Sequence, residues 1–126
     1  MKTNEWLSYF VEEHQAELVE QLERELAREG LVPPAGALGA LVEGLDSDFE
    51  HEQFEATLPA LANLASALRE QDAAKAPQAL ARVWPQVEHV LGAYIAGEQE
   101  LSGGARRLAY LRLSEFGLRV RGALGD

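Results

Sequence analysis

Apolar side chains recur at steps of three and four along most of the chain, the period of an amphipathic α-helix. The longest run comes first. Between Asn4 and Glu29, the residues Leu7, Val11, His14, Leu18, Leu22 and Leu26 share one face, and Glu12, Glu13, Glu20 and Glu23 lie on the other. Thr3 or Asn4 can cap this helix, and Gly30 can close it in a left-handed conformation. "LVPPAG" follows, and its Pro33 and Pro34 cannot continue a helix but can open one. The spacing of Leu38, Leu41, Val42 and Leu45 predicts a short second helix over about 35–45, weakened by Gly36, Gly39 and Gly44. Asp46 or Ser47 is a candidate cap for a third segment, whose stripe is Phe54, Leu58, Leu61, Leu64, Ala65 and Leu68. Pro59 in that segment implies a kink, or a fresh start capped by Thr57.

A fourth helix is predicted over about 77–96, with Leu80, Trp84, Val87, Leu91, Tyr94 and Ile95 on one face. Pro85 lies inside it and predicts a kink or a break near Val83–Trp84. Ser102 can cap a fifth helix over about 103–124, and this one has a different pattern. Leu108, Leu111 and Leu118 lie to one side, Leu113, Phe116 and Val120 to another, with Arg112, Glu115 and Arg119 between. A helix apolar on two sides packs twice, once on its own domain and once on something else. Leu111, Leu113, Phe116, Leu118 and Val120 are the interface candidates. Part of this segment also alternates with period two, which keeps a strand as an alternative. Eight valines, one isoleucine and two threonines argue against a sheet elsewhere. The expectation is a single all-α domain spanning 1–126, five helices in a globin-like or antiparallel bundle arrangement.

Composition narrows the function classes. With no cysteine among 126 residues, disulfides, thiolate zinc sites and cysteine nucleophiles are excluded. A reducing cytoplasm suits such a chain. The start, "MKTNEWLSYFVEEH", has acids where a secretory signal needs an apolar run. The uncharged run Ala56–Leu68 has 13 residues with Pro59 and Asn63 inside it, too short and too polar to span a bilayer. A cytoplasmic protein with no membrane contact is expected. The formal net charge of −10 is uneven. Residues 1–100 hold 19 acidic against 6 basic side chains, and residues 101–126 hold two against five. An acidic body repels phosphate backbones, so no nucleic-acid partner is expected. Arg106, Arg107, Arg112, Arg119 and Arg121 are the one basic cluster, placed to pair with the acidic body or with a partner chain. Arg106 and Arg107, behind the turn "LSGG" at a helix start, are also candidates for a small anion site.

His14 is the one polar residue in the first apolar stripe. A neutral imidazole hydrogen-bonded inside the domain is one reading; metal or haem ligation and pH sensing are the others. Trp6, Phe10, His14, Trp84 and Tyr94 form a candidate ligand pocket, or a set of core aromatics joining the first and fourth helices. In "DFEHE", Asp48 with His51 (i, i+3) and His51 with Glu55 (i, i+4) have metal-ligand spacing. The second Glu-x-x-His of a di-metal bundle is missing. "DSDFEHEQFEAT" is not a calcium loop, because His51 stands where glycine must turn and Thr57 where the bidentate glutamate belongs. Ser8, Ser47, Ser66, Ser102 and Ser114 sit in no nucleophile elbow. No catalytic residue, metal or cofactor is assigned.

The opening helix, "LSYFVEEHQAELVEQLEREL", resembles the start of the N-terminal domains of RsbR-type stressosome proteins through Phe10, Val11, His14, Leu18 and Leu22. "VPP…LVEGL" and "VEHVLGAYIAGEQEL" look like parts of the helical regulatory domain of RsbU-type phosphatases. The matched parts cover under half of the chain. The first resemblance implies a dimeric, globin-like helical domain without haem that acts as a signal-input module in a stress response. The expected function is a non-enzymatic sensory or regulatory module working through protein–protein contacts, with a protein partner or a second copy. The alternative is a small-molecule, haem or metal sensor with its pocket near His14.

Overall fold

The computed structural model describes residues 3–124, with side chains from residue 5 onward, so capping by the side chain of Thr3 or Asn4 lies outside what is described. It has six helices and, among the described residues, no strand: α1 (Thr3–Glu13), α2 (Gln15–Ala27), α3 (Ala37–His51), α4 (Thr57–Gln71), α5 (Ala76–Gly97) and α6 (Gly103–Leu124). The fold is all-α as expected. The count is six rather than five because the first predicted helix is two.

The break falls on His14, whose backbone (φ −118°, ψ 25°) leaves the helical region. His14's own backbone groups stay bonded on both sides of the break. The His14 N–H bonds the Phe10 carbonyl at 3.0 Å, and the Leu18 N–H bonds the His14 carbonyl at 2.9 Å. The turn gives the two halves different neighbours: α1 packs on α3 and α6, and α2 on α5 and α3. A straight helix over residues 3–27 would run about 37 Å, whereas α3 covers about 22 Å. Bending at His14 keeps both apolar stripes on the core.

The other boundaries follow from capping. Gly30 (φ +74°) closes α2, with the Leu31 N–H on the Leu26 carbonyl at 3.1 Å and the Gly30 N–H on the Ala27 carbonyl at 2.9 Å. The Gln71 carboxamide then clamps the Val32 backbone, accepting its N–H at 2.9 Å and donating to its carbonyl. α3 continues through the expected boundary at Asp46–Ser47, so neither residue is a cap; Asp46 instead accepts the Ser8 hydroxyl and ties α3 to α1. The cap is Asp48, which is fully buried. Its Oδ1 accepts the Ala56 N–H at 3.0 Å and its Oδ2 the Thr57 N–H at 2.7 Å, so one carboxylate closes the start of α4 from the preceding helix. The Thr57 hydroxyl has no partner and caps nothing. Gly44 lets this loop close: a Cβ there would lie 2.9 Å from the Ala56 carbonyl oxygen.

Pro59 is the third residue of α4, where a missing N–H leaves no intrahelical bond unmade. Asp72 caps α5 through the Ala74 and Lys75 N–H groups at 3.0 and 3.1 Å. α5 runs unbroken through Pro85. Ser102 caps α6, its Oγ accepting the Ala105 N–H at 3.1 Å. The core is contiguous, from Leu7 and Val11 through Leu22, Leu45, Phe49, Leu68 and Leu91 to Phe116. Each such side chain contributes roughly 1.5–3 kcal/mol by leaving water. Among the described residues, no helix is long and apolar enough to cross a membrane.

Candidate functional site

Trp6, Phe10 and His14 stand four residues apart on one side of α1 and its end, which stacks them in a column. Trp6 and Phe10 have ring centroids 5.6 Å apart, Tyr9 meets Trp6 edge-on at 5.9 Å, and α5 brings Tyr94 across to Phe10 at 6.1 Å. His14 lies flat on Tyr94, 3.7 Å between centroids and 8° between planes. The Tyr94 hydroxyl donates to the Glu17 carboxylate, which also stands 3.7 Å from His14 Nδ1. Burial pushes the Tyr94 phenol up to about 12, helped by its hydrogen bond to Glu17 and by the negative charge there. Beside these groups is an open groove of about 290 Å³ between α2 and α5, where the Gln86 carboxamide donates to Gln21 at 3.2 Å.

Trp84 is not part of this column. It precedes Tyr94 by ten residues on α5, about 15 Å along the axis. It stacks on Phe116 instead, 6.0 Å away with planes 16° apart. Phe116 in turn touches Phe49 at 4.5 Å and Phe54 at 4.4 Å. The expected pocket therefore divides into two aromatic clusters at different places. Two cations cover the second. The Arg112 guanidinium lies 5.1 Å from Phe54 and 4.8 Å from Phe116, and Arg119 lies 4.4 Å from Phe54. Arg112 pairs with Glu115 at 3.2 Å, while its buried Nε and Nη2 have no partner.

The structure separates the two apolar sides of α6. Leu113, Phe116 and Val120 face the core and are buried, so these three interface candidates are already used inside the chain. Leu111 and Leu118 are 55% and 67% exposed, and Leu108, one turn before Leu111, is 55% exposed. Arg107 and Arg121 are exposed along one flank, and Arg112 and Arg119 follow the other. Arg106 is not free to hold an anion with Arg107. Its Nε donates to the Ile95 carbonyl at 3.1 Å and its Nη2 to the Glu98 carbonyl at 2.5 Å, capping the end of α5. The metal-ligand spacing around His51 does not converge: Asp48 is buried in its cap, and His51 bonds the Ser47 carbonyl at 2.9 Å. Among the described residues, no three histidine or acidic side chains are grouped to hold a metal ion.

No family model matches the chain, and neither the curated proteins nor the solved structures give a match.

Proposed function

We propose that the chain is a non-enzymatic interaction module whose docking surface is the outer face of α6, and that the occupant is an acidic amphipathic helix of a partner protein. The observation that carries this is the exposed row Leu108, Leu111 and Leu118 on a helix whose opposite side is core. Solvent-exposed leucines at helical spacing match the anchors of helix-in-groove recognition. The flanking arginines set the partner's charge: it must bring carboxylates to Arg107, Arg119 and Arg121, which are exposed. A second copy fits less well. Two α6 faces would set those arginines against one another. Three leucines are also a small patch beside the roughly 800 Å² per partner that a stable dimer buries. The acidic outer sides of α1 and α2 cannot reach such a face with leucines, because their apolar stripes are inside. Signal input of the RsbR type rests on the spacing in the opening helix and would add a regulatory role to this surface.

The test is titration of the protein with a helical peptide carrying leucines at i, i+3 and i+7 and glutamates beside them. Saturable binding that weakens as salt rises, and that Leu111→Glu with Leu118→Glu abolishes, is expected. No binding, or equal binding by the double variant, overturns the reading. Sedimentation showing a concentration-dependent dimer that Leu118→Glu dissociates gives the face to a second copy instead.

A further inference from the structure

A crevice between α5 and α6 encloses about 150 Å³. Leu80, Trp84 and Val120, all buried, and the half-buried Leu124 line its apolar part. An acid and a base line the same space, Glu88 from α5 and Arg121 from α6. Both are placed beside Gly117. Glu88 Oε1 lies 3.0 Å from where a Cβ of that residue would stand, and Arg121 Nε donates to its carbonyl at 3.3 Å. The two groups nevertheless do not pair with each other. Among the described residues the Glu88 carboxylate meets no ion-pair or hydrogen-bond partner, and the two terminal nitrogens of Arg121 meet none. Glu88 is half-buried and Arg121 is exposed, so solvent reaches both.

We propose that this crevice binds a free α-amino acid with an apolar side chain of the size of leucine. The isobutyl group enters the space between Leu80, Val120 and Leu124, which has about the volume of engineered cavities that hold benzene in other proteins. The ammonium donates to the Glu88 carboxylate, and the carboxylate accepts from the free nitrogens of Arg121. Each of these groups also rejects a molecule that carries only one charge. A carboxylate without an ammonium leaves Glu88 unmatched beside a like charge, and an amine without a carboxylate does the same to Arg121. A zwitterion answers both. The site shares Arg121 with the docking face of α6 but uses none of its leucines. Leu111 and Leu118 lie outside the crevice, so the two proposals succeed or fail separately.

The probe is L-leucine, titrated into the full chain labelled with nitrogen-15. The amide signals of Ala81, Glu88, Gly117 and Arg121 are expected to move together and saturate with a Kd on the order of 1 mM or tighter, while those of His14 and Glu17 stay in place. 4-Methylpentanoate lacks the ammonium and isoamylamine lacks the carboxylate. Each should bind at least about ten-fold more weakly than leucine. Glu88→Gln and Arg121→Gln should each weaken leucine by a similar factor. Glu88→Gln should leave 4-methylpentanoate unweakened, which a variant that merely disturbed the crevice would not do. Signals that do not move, or move without saturating, overturn the proposal. So does either analogue binding as tightly as leucine, unchanged leucine affinity in either variant, or an equal loss of leucine and 4-methylpentanoate in Glu88→Gln.

Discussion

The two aromatic clusters teach different lessons about the same fold. The column at α1 and α5 ends at the surface, and its polar atoms are engaged: the Tyr94 hydroxyl holds Glu17, and His14 lies flat on Tyr94 beside the same carboxylate. The cluster around Phe116 is deeper and less satisfied. Phe116 is fully buried, the Trp84 N–H and two Arg112 nitrogens have no partners, and two guanidinium groups cover Phe54. A polar atom at the surface can turn to a neighbour or to water, whereas one enclosed between α5 and α6 has only the partners that the helix packing brings to it.

The largest expected effect breaks the deep cluster. Phe116→Ala removes the ring shared by Phe49, Phe54 and Trp84, and urea unfolding should show a loss of about 3–5 kcal/mol. Gly117→Ala comes next. Its methyl would meet Trp84 Nε1 at 2.7 Å, so α5 and α6 must separate, and a loss of about 1–3 kcal/mol is expected by the same measurement. The smallest effect sharpens the surface column. Burial first, then the hydrogen bond to Glu17, raises the Tyr94 phenol from 10.0 to about 12, so the stability of its neutral form is fully present below pH 10 and is lost as pH rises through about 12. Tyr94→Phe should lose well under the loss of the first two variants at pH 7. It should also abolish the tyrosinate absorbance step near pH 12 in an alkaline titration, and with it the alkaline destabilisation that this phenol causes in the parent between pH 10 and 12.

What could be read from the chain is uneven for physical reasons. α5 and α6 came close to their observed bounds because Pro77 and Ser102 act on their own helices, within three residues of the groups they serve. The boundary at Asp46–Ser47 did not hold, because a short polar residue on a helix caps only when the helix starts there. Asp48 carries the relevant signal, an acid at the next helical step after Leu41 and Leu45, as His14 is a polar residue in its own stripe. Its partners are eight and nine residues on, across a loop that only Gly44 allows to close. The end of α3 was equally hidden: Glu52, not glycine, takes the left-handed conformation there, φ +54°. Helical period put Trp84 and Tyr94 on one face. A shared face says nothing of the distance along the axis, and about 15 Å separates them.

The chain by itself determined an all-helical fold, the acidic outer sides of α1 and α2, the basic last helix and its two apolar sides. Those properties are local, set by period, caps and charge within a few residues. Tertiary structure decided the rest: that the first helix turns at His14, that Leu113, Phe116 and Val120 go inside while Leu108, Leu111 and Leu118 stay out, and that Arg106 caps α5. It also set the unmatched Trp84 N–H against Gly117 of α6. These depend on which helix lies against which face, and contacts between residues far apart in sequence leave no periodic trace in it.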